Sequence, residues 1–182
     1  MNTEVRATPH AMVRLDIPTA MSFDDFRLAF EAAAPVFDAA GVQELIAGGA
    51  EWQDVQAAAE RNAPNGLMVY AVIDIGRIMA AAGHATRCVQ YLLGNHVVAE
   101  RMFRHDPAIA LYAPLRVIVT GDADDQAVFT VDRPSSVFAG LGQTEITGVG
   151  TELDHKVARL LQVITGRAPA MLLDDADAPT RA

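Results

Sequence analysis

After residue 66 the chain passes through four apolar segments of strand length, 67–73 (LMVYAVI), 87–93 (RCVQYLL), 115–120 (LRVIVT) and 127–131 (AVFTV), with only short helical pieces between them. A parallel sheet needs a crossover of a dozen or more residues, usually a helix, between successive strands. Here strands far outrun crossover helices, so the pattern predicts an α+β fold: an antiparallel β-sheet with helices packed on one face. The segment GDADDQ joins the last two strands as a hairpin connection. Its carboxylates lack the spacing and closing Glu of a calcium loop, which favours a solvated turn.

Earlier elements fit this plan. Residues 11–17 (AMVRLDI) alternate Val13, Leu15 and Ile17 with Met12, Arg14 and Asp16, as a half-buried strand does, and Pro18 is expected to end it. Ser22 is a helix-cap candidate with Asp24 and Asp25 in the first turn, where the helix dipole favours anions. Phe23, Phe26, Phe30 and Ala33 mark one apolar face, and Pro35 stops the helix. Residues 38–66 read as a helical insert: a break from Asp38 to Gly41, two Ala- and Glu-rich pieces divided by Gly48-Gly49, and the turn NAPNG. Trp52 and Val55 are expected to pack inward from the second piece. The run 67–73 reads as a central strand. Near the end of the chain, Ile146, Val149, Leu153, Val157, Leu160, Leu161 and Ile164 form the stripe of a long helix stopped by Gly166. The expected organisation is a loose arm at 1–9, a single domain at 10–166 and a flexible acidic tail at 167–182.

Composition narrows the function. The formal charge is −9 and the 14 basic residues are scattered, which argues against a nucleic-acid partner. The apolar runs fall far short of the roughly 20 residues of a membrane span. A single cysteine, Cys88, forms no internal disulfide, and no secretory signal is visible, so the expected setting is cytoplasmic.

The densest set of unusual residues lies in QYLLGNHVVAERMFRHDPAIALYAPLRVIVT, residues 90–120. There the strand ending in Gly94-Asn95, followed by Met102, Asp106-Pro107, Pro114 and the strand at Arg116, resembles the bacterial family called domain of unknown function 302. The segments DRPSS (132–136), LDHK (153–156) and IPTAMSFDDF (17–26) are similar to that family as well. The resemblance covers roughly residues 10–166, and the order of the motifs carries it. It implies a TATA-binding-protein-like arrangement, β-α-β(4)-α, here with the helical insert, and it implies no established activity. Members often carry proline after the Gly-Asn pair, where this chain has His96. A shared fold does not import DNA binding.

Several side-chain sets have chemical potential. His96 and Glu100 stand four apart on an expected helix, so they share a face. His84 and Cys88, also four apart, share a face on an expected strand. Together these four are competent metal ligands, and Cys88 with a histidine is a possible nucleophile and base. The structural alternative is a turn-lining His96 and a packed Cys88. Asn95, His96, Tyr112 and Arg116 are candidate ligand-binding residues. Tyr70 and Tyr91 could join them around a shallow pocket or could be cross-strand partners. Ser135 and Ser136 read as helix-capping hydroxyls. No phosphate-binding glycine loop is present. The expectation is therefore a small-ligand-binding or interaction module without a cofactor, acting as a homodimer through an open sheet. A metal- or thiol-dependent enzyme using His96, Glu100, His84 and Cys88 is the alternative.

Overall fold

The computed structural model describes residues 4, 5 and 7–174. Five antiparallel strands form one sheet in the order β1-β5-β4-β3-β2: β1 (Arg14–Ser22), β2 (Met68–Ile73), β3 (Cys88–Gly94), β4 (Leu115–Gly121) and β5 (Gln126–Asp132). The long helices α1 (Phe23–Ala33) and α7 (Thr144–Thr165) pack against it. The shorter ones are α2 (Ala39–Ala47), α3 (Trp52–Asn62), α4 (Ile75–Ala80), α5 (His96–Phe103) and α6 (Pro134–Ala139). This is the α+β class that the strand spacing predicts.

Alternation sets the two faces of the sheet. Val89, Tyr91, Leu93, Val117, Val119, Phe129 and Val131 are buried against the helices. Their neighbours Gln90, Arg116, Ile118 and Thr130 are exposed or half-buried on the other face. The ring of Phe30 lies 4.8 Å from that of Tyr91 and 5.9 Å from that of Phe129, with Phe26 beside them. On α7 the predicted stripe from Ile146 to Leu161 is buried, and Gly166 closes the helix in the left-handed region at φ 75°. Ser22 caps α1 by accepting the Asp25 N–H.

Some local expectations are corrected. The run 67–73 makes an edge strand and not a central one. Among the described residues its outer side takes only the short bridge at Val36, where Phe37 N donates to the Val69 carbonyl at 2.8 Å. Val72 and Ile73 are left 42% and 39% exposed. Pro18 does not end β1. An edge strand needs ladder bonds on one side only, so the missing donor is tolerated, and the strand continues through a bulge with Ala20 at φ 55°. Asp38 to Gly41 is no break, because the Asp38 carboxylate accepts the Gly41 N–H and caps α2. Val55 packs inward as expected, whereas Trp52 is 42% exposed.

Residues 170–172, expected in the tail, form a 3-10 turn that buries Leu172 in the core. The rest of the expected tail, 175–182, lies outside the described residues, as do residues 1–3 and 6 of the arm.

Beneath α6 sits a buried ion pair. Arg133 Nε donates to Asp154 Oδ2 at 2.9 Å, with the two side chains 5% and 1% exposed. The same carboxylate accepts the Ser135 N–H at 2.9 Å and the Ser135 hydroxyl at 2.5 Å. Segments DRPSS and LDHK thus meet through one charge pair, which fastens the end of β5 to α7. Ser135 is held by that carboxylate, and the Ser136 hydroxyl donates to the Arg133 carbonyl at 2.8 Å.

Candidate functional site

At the end of β3 the chain turns sharply. Gly94 lies against Pro114, whose Cβ would stand 3.3 Å from a Cβ added to the glycine, so a larger residue would press on the proline that precedes β4. Asn95 then caps α5. Its Oδ1 accepts the Val97 N–H at 2.9 Å and its Nδ2 donates to the Gly66 carbonyl at 3.1 Å. That leaves His96 at the first helical position.

A cavity of about 210 Å³ opens beside this turn. Its walls come from the ends of β2 and β3 (Tyr70, Leu93), from Val98, Ala99 and Met102 of α5, from Pro114, and from Phe138 and Leu153 of α6 and α7. Asn95 and His96 are its polar edge together with the Tyr70 hydroxyl. The Tyr70 oxygen accepts the His96 backbone N–H at 2.9 Å and lies 2.8 Å from His96 Nδ1. Since that oxygen already accepts, its own proton is best spent on Nδ1, which places the imidazole proton on Nε2. Nε2 is shut off from solvent and has no hydrogen-bond partner among the described residues. A buried donor left this way costs about 1–3 kcal/mol. Phe37 completes the group, with its ring 4.7 Å from Tyr70 and 5.4 Å from His96.

Burial shifts both titrating groups of the pair. It pushes the Tyr70 phenol up to about 12, opposed weakly by the His96 N–H, and it holds the His96 imidazole below its ordinary value of 6.5. The sign for stability follows. The unfolded chain takes up this proton at a higher pH than the folded one. The contribution of His96 is therefore level well above pH 6.5 and declines as pH falls below that value, until the folded imidazole also protonates. Denaturant midpoints measured between about pH 8 and about pH 5 should fall more steeply for the natural chain than for His96→Asn, which keeps an acceptor near Nδ1 but does not titrate. Identical slopes would show that His96 is not a source of the decline.

The candidate residues named from the sequence separate into groups. Asn95 and His96 border the cavity. Tyr112 and Arg116 instead line a small recess of about 20 Å³ on the other side of Leu115. There the Tyr112 hydroxyl meets His10 Nε2 at 3.3 Å, and Arg116 is exposed on the open face of the sheet. Tyr70 and Tyr91 are not cross-strand partners: Tyr91 faces Val72, Tyr70 sits in the bulge between Val69 and Ala71, and the Tyr91 hydroxyl reaches Glu31 at 2.8 Å.

The four-residue metal or thiol set is not assembled. His84 and Cys88 line a recess at the start of β3 with Asp74 and Arg77. Gly94 ends that strand, six residues and about 20 Å from Cys88, so His96 lies beyond the far end. Glu100 turns to Arg104, at 2.6 Å. Among the described residues no group of three or more His, Cys, Asp or Glu converges to hold a metal ion. Burial, reinforced by Asp74, pushes the Cys88 thiol up, which disfavours a thiolate nucleophile.

Comparison with known proteins addresses family and fold. Residues 52–164 match the family model described as domain of unknown function DUF302. The chain belongs to the DUF302 family. The crystal structure of the uncharacterized conserved protein DUF302 from Bacillus stearothermophilus superposes with a TM-score of 0.58 at 11% identity, covering 84% of this chain and 97% of that one. At that identity the likeness is one of fold. No functionally curated protein matches the sequence significantly. In this DUF302 chain the matched span contains the whole cavity wall, from Tyr70 through the Gly94-Asn95 turn to Leu153. It begins at Trp52, so Phe37, which leans on Tyr70 and His96, lies before it. Tyr70 and Phe37 had no local sequence signal for this role, because they reach His96 from 26 and 59 residues away in the chain (96 − 70 and 96 − 37). No helix among the described residues is long and apolar enough to cross a membrane.

Proposed function

We propose that this DUF302 domain is a small-ligand-binding module and that the cavity beside His96 is its site. The observation that carries the reading is an apolar chamber with a single polar edge, at Asn95 and His96. An engineered apolar cavity of ~150 Å³ takes up benzene, so 210 Å³ admits a single ring with a substituent. The ligand that fits is ring-sized, mostly apolar, and carries one polar group to meet the Asn95–His96 edge. Unlike the separated metal or thiol set, this chamber is built from side chains already in contact.

Thermal denaturation with cyclohexanone and with cyclohexane tests the reading. Cyclohexanone, which brings an acceptor, should raise the melting temperature, by the equivalent of about 2.7 kcal/mol at a hundredfold excess over its dissociation constant. Cyclohexane should do less, and Ala99→Phe, which fills the chamber, should abolish the effect. If no ring compound shifts the transition and Ala99→Phe simply stabilises the fold, the chamber is a packing defect and the reading fails.

The homodimer belongs to the same proposal. What supports it is the β2 edge, where Val72 and Ile73 leave apolar surface beside unpaired strand backbone. Light scattering at micromolar concentration should return twice 19.4 kDa, and a clean monomer removes this part. A cytoplasmic setting suits the free thiol of Cys88.

A further inference from the structure

Arg116, set apart from the chamber, belongs to the open face of the sheet. Directly opposed residues of neighbouring strands share a face, so the register fixes its company. Arg116 pairs with Leu92 of β3, and on its other side, one step past the Val117–Val131 pair, stands Asp132, which pairs with Arg14 of β1. The next row holds Gln90, Ile118, Thr130 and Asp16, and the one after it Thr120 and Val128. None of these residues is buried, because α1 and α7 pack on the opposite face.

The charge of this face sets it apart. The chain as a whole carries −9, so two copies repel one another in general. On the open face, however, the charged residues balance: Arg14 and Arg116 against Asp16 and Asp132. Asp16 is engaged, its Oδ1 accepting the Thr130 hydroxyl at 2.7 Å. The side chains of Arg14, Arg116 and Asp132 make no hydrogen bond or ion pair among the described residues. Leu92, Ile118 and Val128 offer apolar contact beside them. A face with free charges of both signs around an apolar patch is complementary to a second face of the same pattern. The partner it fits is therefore another copy of this chain.

We propose that two copies pack through their open sheet faces, around a two-fold axis that runs along the strands between β4 and β5. The proposal rests on the homodimer reading for the second copy and differs from it in the surface. Such a rotation lays β4 of one copy over β5 of the other. Arg116 then stands over the partner's Asp132, and Asp132 meets the partner's Arg116, giving two reciprocal ion pairs. Ile118 and Val128 fill the middle. Stacked sheets lie about 10 Å apart, a gap that an Arg and an Asp side chain span together. In the strand order β1-β5-β4-β3-β2, this axis leaves β2 outside the overlap, so Val72 takes no part.

Sedimentation velocity of the full chain over a concentration series decides the matter. The natural sequence should return a dimer. Arg116→Asp alone and Asp132→Arg alone, with folding checked by circular dichroism, should each weaken it by about tenfold, since each sets like charges together at both pairs. The two variants mixed in equal amounts should regain the dimer, because every pair in the mixed species again holds one acid and one base. A role for these residues within a single chain could not be rescued by mixing. Val72→Lys should leave the dimer unchanged. A dimer that survives Arg116→Asp, or that mixing fails to restore, overturns the proposal. If Val72→Lys dissociates it instead, the copies pair through the β2 edge, and the homodimer reading stands without this one. A natural chain that stays monomeric throughout the series removes both.

Discussion

Asp154→Ala should lower the stability of the domain by about 3–5 kcal/mol, because it breaks a buried ion pair and takes the shared acceptor from three donors at once. For a domain of this size that is a fall in melting temperature of about 6–20 °C. Asp154 is 1% exposed and satisfies three donors at once: Arg133 Nε, the Ser135 N–H and the Ser135 hydroxyl. The lesion is therefore electrostatic and structural together. It should loosen α6, whose first turn is tied to α7 through this carboxylate. Replacing both charges, as in Arg133→Met with Asp154→Leu, should cost clearly less than the sum of the two single changes, since the two buried charges then leave together. Equilibrium denaturation of the three variants measures the cycle. Additive losses, or a loss below about 1 kcal/mol for Asp154→Ala, would mean that the pair does not hold the motifs together.

Phe30→Ala should be of similar size, about 3–5 kcal/mol, through lost burial and the cavity left behind. Phe30 is fully buried and its ring touches the Tyr91, Phe129 and Phe26 rings, so the surrounding aromatics cannot collapse onto the space without giving up their own contacts. The control is on the same helix. Leu28 is 73% exposed, and Leu28→Ala should stay within about 0.5 kcal/mol. Urea midpoints at constant m-value compare the two. Equal effects would place the core elsewhere than between α1 and the sheet.

Both predictions concern residues whose burial could be anticipated, yet only one of the partnerships could. Phe30 belongs to a run with Phe23 and Phe26 at helical spacing, and that spacing alone puts them on one buried face. For Asp154 the sequence pattern shows only its place beside Leu153 on a long helix. Its partner Arg133 is 21 residues away, across α6. The candidate site divides in the same way. Gly94, Asn95 and His96 stand out locally, as a strand stop followed by a cap and a helix start. Arg116 joins them in a sequence reading because it is polar and lies in the same stretch of chain. On a strand, however, neighbouring residues face opposite sides, so when Leu115 turns inward to the cavity Arg116 turns outward. The edge position of β2 was also illegible. A continuous apolar run suits a buried strand, and only the strand order places it at the rim.

Local pattern in the chain is enough for the α+β class, most element positions, the faces of α1 and α7, and the turn at Gly94-Asn95. Each rests on interactions within a few residues: periodicity, capping and the backbone freedom of glycine. The tertiary structure alone decided that this turn borders an apolar chamber and that the Tyr70 hydroxyl engages both the His96 backbone and its Nδ1. It also left Nε2 buried, with no partner among the described residues. Those features arise where β2, β3, α5, α6 and α7 converge. Such long-range juxtaposition depends on strand register and helix packing, and no local pattern in the chain encodes it.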